Sequence, residues 1–322
     1  MTVIMGIVNV TPDSFSDGGR YLDTDAAVAH GLALHAAGAA ILDVGGESTR
    51  PGAARVVAAT EQERVLPVVA ALTAAGAVVS IDTMSAETAA AAVAAGARIV
   101  NDVSGGLADP EMLGVVAASG ADVVLQHWRG PSAEMYAQAH YADLAAELTG
   151  ELEARVRAAA AAGISPARII LDPGIGFGKR GGQNWQALRA LDRIVSIGPR
   201  VLVGTSRKRF LAETLAAASS AASAAAAPAA PGAVSAAAAS AAAESPRNLA
   251  YVPLDAEKAY IGEVSRGSVS RVDEVDEGRR DLATAVTSVL ATQAGAWGVR
   301  VHDVSATRDA LAVLRAWDRG GC

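Results

Sequence analysis

Val78-Val79-Ser80-Ile81-Asp82 and Ile99-Val100-Asn101-Asp102 bracket Ser85–Ala95, an Ala-rich run that opens on a serine. Two apolar runs of strand length, each ending in polar residues, flank one segment of helical composition. Serine at the start of such a segment is a preferred N-cap. The strand–helix–strand pattern recurs along the chain. Val3–Val8 runs into Asn9, and Ile41-Leu42-Asp43-Val44 runs into Gly45-Gly46-Glu47. Val123-Val124-Leu125 ends at Gln126-His127, and Ile169-Ile170-Leu171 ends at Asp172. Val201-Leu202-Val203 leads to Ser206-Arg207-Lys208, and the eighth run carries Arg300 and His302 itself. Eight strands alternating with helices specify an α/β fold, the (β/α)8 TIM barrel, whose active site lies at the C-terminal ends of its strands. The polar residues stand at those ends, so an enzyme is the leading expectation.

The helices expected between the strands are Thr24–Ala37, Glu61–Ala75 with Thr60 as N-cap, Ser85–Ala95, and Pro110–Ser119 with Pro at its first position. Tyr141–Ala162, Asn184–Leu191, Ser206–Leu215 and Ala306–Trp317 complete the set. Two early loops, Asn9–Asp23 and Gly45–Ala59, exceed the usual length of about 2–6 residues for such connections. Long loops at this end of a barrel serve as lids; the competing reading is a pair of tolerated surface insertions. Ala216–Ser245 is Ala/Ser/Pro-rich and holds Val234 as its only large apolar residue, so it reads as a disordered or weakly helical insertion after strand seven. Apart from it, residues 1–322 read as a single domain.

Composition narrows the field. Half of the 322 residues are apolar and the net charge is −7, which gives no reason to expect nucleic acid or an anionic membrane as partner. The only cysteine is Cys322, so an intrachain disulfide is impossible and a cytoplasmic protein is expected. The start has no signal-peptide pattern, and no run has the hydrophobicity of a membrane span. Lysine is scarce: Lys179, Lys208 and Lys258 are all there are, and two of them fall near strand ends.

Asp82, Asn101 and Asp172 end strands three, four and six and point into the expected barrel mouth. Two carboxylates and an amide suit a flat heterocycle rich in N–H donors, such as a guanine-like or pterin ring. They suit a divalent metal equally, and each could instead cap the helix that follows. Arg300 and His302 share one face of strand eight, with Val301 on the other. A guanidinium beside an imidazole makes an anion site, while Asp303 either orients the imidazole or caps the last helix. Ser206-Arg207-Lys208 opens a helix whose N-terminus also attracts anions. Asp172–Lys179 is a Gly-rich turn without the spacing of a Walker loop or a dinucleotide fingerprint; its Phe177 packs on a planar ring or belongs to the core.

Five motifs, in order, give the chain its resemblance to the dihydropteroate synthases. They are Asn9-Val10-Thr11-Pro12-Asp13-Ser14-Phe15-Ser16-Asp17-Gly18-Gly19, Gly45-Gly46-Glu47-Ser48-Thr49-Arg50-Pro51-Gly52, Asp172–Lys179, Ser206-Arg207-Lys208 and Arg300-Val301-His302-Asp303. The resemblance implies joining of 6-hydroxymethyl-7,8-dihydropterin diphosphate to 4-aminobenzoate, in a cytoplasmic homodimer of folate biosynthesis. It implies that Asp82, Asn101, Asp172, Phe177 and Lys208 bind the pterin. Thr49, Arg300, Val301 and His302 would hold the diphosphate, with Asn9 on a Mg2+ ion. Phe15, Thr49, Arg50, Pro51 and Ser206 would form the aminobenzoate pocket, and Asp13 would stabilise a cationic methylene. Asp13, Lys208, Arg300 and His302 are then the catalytic set. Sulfonamides, which resemble 4-aminobenzoate, are expected to compete with it.

Three departures from the family pattern stand out. Gln126 replaces the usual Met after strand five, Arg209 follows Lys208 where some relatives carry a small hydroxyl residue, and the Ala/Ser insertion is long. A pterin-dependent methyltransferase domain shares the acids but has no need of the Asn9–Gly19 loop or the Arg300/His302 pair. A non-catalytic paralogue that binds a pterin or a protein partner, and another phosphate-handling barrel, are the remaining alternatives.

Overall fold

Runs rich in Val, Ile and Leu form β1 (Val3–Asn9), β2 (Ile41–Gly45), β3 (Val79–Asp82), β4 (Ile99–Asp102), β5 (Asp122–Gln126), β6 (Ile169–Asp172), β7 (Arg200–Val203) and β8 (Gly298–Val301). Strands buried on both faces read as continuous apolar runs because each face meets a core. In the computed structural model, which describes residues 2–11, 24–48, 55–131, 136–226 and 272–320, the strands close in sequence order into a barrel. All pairings are parallel, and β8 closes on β1 with Met5 opposite Arg300. The barrel expected from the sequence is the barrel observed.

Successive strand residues alternate between two cores. Val44, Val79, Ile81, Val100, Val123, Leu125, Leu171, Val203 and Val301 face outward, into the apolar layer shared with the helices. Met5, Ile41, Ile99, Val124, Ile170 and Leu202 form a separate cluster inside the barrel. Two residues further along the same strands stand Ile7, Asp43, Asn101, Gln126, Asp172 and Gly204; Asp82 and Arg300 follow Ser80 and Gly298 in the same way. One pleat therefore converts an apolar plug into a polar ring.

The helices are α1 (Thr24–Ala37), α2 (Ala58–Ala74), α3 (Ala86–Ala94), α4 (Met112–Ser119), α5 (Leu144–Ala161), α6 (Gly182–Arg189), α7 (Leu191–Val195), α8 (Arg209–Ala226), α9 (Glu277–Gln293) and α10 (Val304–Asp318). Ser85 caps α3 as expected, accepting from the Thr88 amide at 3.2 Å. Several boundaries differ from the sequence reading. Thr60 lies within α2, whose N-cap is Val57 in extended conformation, because Ala58 and Ala59 already favour helix. Pro110 precedes α4 by two residues. Asp109 instead accepts from the amide of Ala86, at the start of α3, at 2.8 Å. Ser206–Lys208 form the turn before α8 rather than its first residues. The first part of the Ala/Ser insertion, through Ala226, continues α8; the rest lies outside the described residues. Helix α9 was not expected. Leu282, Val286 and Leu290 on α9 are exposed, as are Val313 and Trp317 on α10.

Candidate active site

Arg300 occupies the middle of the polar ring. Its Nε donates to Asp43 Oδ2 at 2.6 Å, and a terminal nitrogen donates to Asp82 Oδ2 at 2.7 Å. Asn101 Nδ2 donates to the same Asp43 oxygen at 2.9 Å. The side chain of Asp43 is fully buried, that of Asp82 13% exposed and that of Arg300 22% exposed. Although burial disfavours the guanidinium charge, Asp43 and Asp82 hold its pKa above the ordinary value. Burial raises the Asp82 carboxyl against the attraction of Arg300, and neighbouring Asp43 adds to the rise. Asp43 is a site residue that the sequence reading passed over as part of its apolar run. Its position two residues beyond Ile41, on the face that points inward, was the available signal.

Asp172 and Lys208 make up the other side of the ring. Burial raises the Asp172 carboxyl, opposed first by Lys208. Burial pushes the Lys208 ammonium down to about 8, opposed by Asp172. Lys208 Nζ donates to the carbonyl of Ile175 and lies 4.9 Å from the centre of the Phe177 ring. Gly204 borders this meeting: a methyl placed there would make ordinary van der Waals contact with Arg300, Asp172 and Lys208 at 3.7–3.9 Å. Gln126, the polar replacement on the wall, donates its amide to the Val103 carbonyl at 3.3 Å, which satisfies that nitrogen at little cost.

The helix-capping alternative fails for the three strand-end residues. The caps of α3, α4 and α6 are Ser85, Glu111 and Gly181, so Asp82, Asn101 and Asp172 are free to serve the mouth. Asp303 does cap α10, accepting from the Ala306 amide at 2.9 Å. His302 Nδ1 meets Ser206 Oγ at 2.8 Å, and its backbone amide donates to the same hydroxyl at 3.0 Å. Arg300 thus sits among carboxylates, while His302 meets Ser206. Val301 turns its side chain into the outer core, so only its backbone is available to a ligand in the mouth. Asn9 ends β1 on the face of Met5 and Ile7, one pleat above the ring. Arg207, at φ 56°, is the only described non-glycine residue with positive φ. Its guanidinium makes two 2.8 Å bonds to Asp281 of α9, which anchors the Ser206–Lys208 turn. Asp13, Phe15, Thr49, Arg50 and Pro51 lie outside the described residues.

A profile of the family described as pterin binding enzyme matches residues 5–247. With the barrel and its polar ring, this match defines the class: a pterin-binding barrel enzyme. The dihydropteroate synthase of Mycobacterium leprae (strain TN) is 46% identical over 319 residues, covering 99% of this chain and 94% of that protein. The Xanthomonas albilineans dihydropteroate synthase solved with 4-aminobenzoic acid superposes with a TM-score of 0.74 at 39% identity, covering 98% of this chain and 93% of that one. The same enzyme solved with 7,8-dihydropteroate gives 0.71 at 37% identity, covering 98% and 94%. The chain belongs to the dihydropteroate synthase family and is a transferase.

Removing one partner of a buried ion pair strands the other. Asp43→Ala is expected to lower unfolding free energy by about 3 kcal/mol in chemical denaturation. A loss below about 1 kcal/mol would show that Arg300 is held adequately by Asp82 alone.

Proposed function

We propose that the polar ring is where this chain joins 6-hydroxymethyl-7,8-dihydropterin diphosphate to 4-aminobenzoate, giving 7,8-dihydropteroate and pyrophosphate. The supporting observation is the convergence of Asp82, Asn101, Asp172, Lys208 and Arg300 above a closed apolar floor. Asp82, Asn101 and Asp172 accept from the N–H edge of the pterin, and Lys208 donates to its carbonyl or a ring nitrogen. Phe177 packs on the ring face. Asp43 orients Asn101 and Arg300 from below through its shared oxygen. Arg300 links the pterin acids to the diphosphate, which His302 and the Val301 backbone meet further out. Ser206 and the backbone of its turn take the aminobenzoate carboxylate; the family resemblance assigns Phe15, Thr49, Arg50 and Pro51 to the same substrate.

The reaction breaks the C–O bond between the pterin methylene and the diphosphate, and the electron pair leaves with pyrophosphate. Cationic groups stabilise that developing charge. The methylene left behind carries positive charge that the pterin delocalises and Asp13 stabilises. The neutral arylamine nitrogen attacks it and then gives up its extra proton to pyrophosphate or water. Lid closure protects the cation from water. A hard cation such as Mg2+ takes oxygen ligands and is commonly shared between one protein group and substrate phosphates. The Asn9 carbonyl is such a donor, and among the described residues no three His, Cys, Asp or Glu gather to hold a metal. The donor set thus fits an ion brought in with the diphosphate. An ion held by Asn9 would supply charge neutralisation for the leaving group.

Among the described residues no helix is long and apolar enough to cross a membrane. The exposed apolar residues of α9 and α10, which pack side by side, fit a second copy of the chain as partner, giving a homodimer. The cytoplasm remains the expected compartment on the single-cysteine argument.

The direct test supplies the dihydropterin diphosphate, 4-aminobenzoate and Mg2+ to folded protein. Dihydropteroate and pyrophosphate are expected in equal amounts, and neither forming would overturn the assignment. Lys208 is charged below pH 8 and loses its charge above it. Affinity for a diphosphate-free pterin should therefore fall as pH rises through about 8, and Lys208→Arg should abolish that limb because arginine stays charged. An unchanged limb assigns it to another group. In sedimentation velocity the wild type should run as a dimer and Val286→Glu as a monomer; a monomeric wild type refutes the dimer.

A further inference from the structure

The mechanism leaves one buried cation without a task. Lys179 is 1% exposed, yet its side chain ends in an amine. That group lies 3.0 Å from the Gly174 carbonyl, 3.1 Å from the Phe177 carbonyl and 3.0 Å from His127 Nδ1. In its ammonium form it has no acceptor site and donates to all three. With Nδ1 accepting, the His127 ring hydrogen sits on Nε2, which lies 2.9 Å from Glu151 Oε2. Glu151 pairs in turn with Arg129. His127 is 1% exposed at its side chain and Glu151 43%, so the chain of contacts runs from the interior to the surface.

Burial pushes the Lys179 ammonium down to about 7 and the His127 imidazole to about 4, so His127 is a neutral acceptor at neutral pH. Against its own burial, the proximity of His127 and the pairing with Arg129 pull Glu151 down to about 2. Asp172, Lys208 and Arg129 are the other charged groups acting on Lys179.

Burying an ammonium costs several kcal/mol unless something is gained. Both tied carbonyls belong to the turn that follows Asp172. In it Gly174, Gly176 and Gly178 have φ of 63°, 84° and 58°, conformations that cost glycine its freedom. The same turn presents the Ile175 carbonyl to Lys208 and the Phe177 ring beneath it. A side chain at Gly174 would collide with the His127 carbonyl, so the segment just after β5 already presses on the turn. Tyr141 OH adds a bond to the Gly178 carbonyl at 2.9 Å.

We propose that Lys179 is a positioning residue for the pterin pocket, holding the Gly174–Phe177 turn in shape while the His127–Glu151 pair holds Lys179. The proposal rests on the reading of this pocket as the pterin site. The ammonium touches no reacting atom; it acts through Phe177, Ile175 and Lys208. Because the turn is braced before the ligand arrives, less ordering is charged against binding.

The test measures calorimetric affinity for 6-hydroxymethylpterin, which lacks the diphosphate, together with KM for each substrate. Lys179→Met should weaken pterin binding by about tenfold to a hundredfold, with KM for 4-aminobenzoate nearly unchanged. His127→Leu keeps both carbonyl contacts but removes the third, and should weaken binding by a smaller factor, roughly threefold to tenfold. A role confined to general stability would lower the fraction folded without changing the affinity of the folded molecules. Wild-type pterin affinity in folded Lys179→Met overturns the proposal. If that variant does not fold, wild-type affinity in His127→Leu does so instead. Failure of the wild type itself to bind the pterin would count against the function, not against the brace.

Discussion

One guanidinium organises the mouth of this barrel. Arg300 reaches across it from β8 to Asp43 on β2 and Asp82 on β3, and Asn101 joins through the Asp43 oxygen. Without that cation the carboxylates would repel one another in a cavity that offers them little water. Charge balance is still incomplete. Asp43, Asp82 and Asp172 face Arg300 and Lys208, so the acids outnumber the bases by one. Burial raises the pKa values of both Asp82 and Asp172, and at Asp82 the neighbouring carboxylates, Asp43 first, add to the rise. A cluster short of one positive charge favours a ligand that arrives with N–H donors, and a pterin has them along one edge.

The architecture was legible because polar residues interrupt apolar runs at the strand ends. Asp82, Asn101 and Asp172 could be placed in the mouth from that pattern alone. Asp43 could not, because it sits within its run and is followed by Val44. Only the two-residue period, counted from a known inward position such as Ile41, identifies it. Arg300 was placed on the correct face, but its partners depend on how far β2 and β3 lie across a closed barrel. That is a tertiary distance, and no local spacing encodes it. Spacing along β8 likewise does not reveal that Arg300 bonds to Asp43 and Asp82.

Local errors have local causes. The expected cap at Thr60 lost to two preceding alanines that extend α2. The turn at Ser206–Lys208 was taken for helix because its chemistry suits an anion-binding N-terminus. Instead Arg207 adopts a left-handed conformation secured by Asp281 from across the insertion. Helix α9 was hidden by its polar composition and its position just after low-complexity sequence. The contacts of Lys179 were equally beyond the sequence, since they require β5, the turn after β6 and α5 to meet.

The plug of Met5, Ile41, Ile99, Val124, Ile170 and Leu202 closes the barrel floor one pleat below the polar ring. Among the described residues it leaves the mouth as a vessel open toward the C-terminal ends of the strands. A molecule seated among Asp82, Asn101 and Asp172 lies deeper than one held at the Ser206 turn. Traffic through such a vessel is last in, first out: the deeper partner has to arrive before the shallower one, and whatever remains at the bottom must wait for the top to clear.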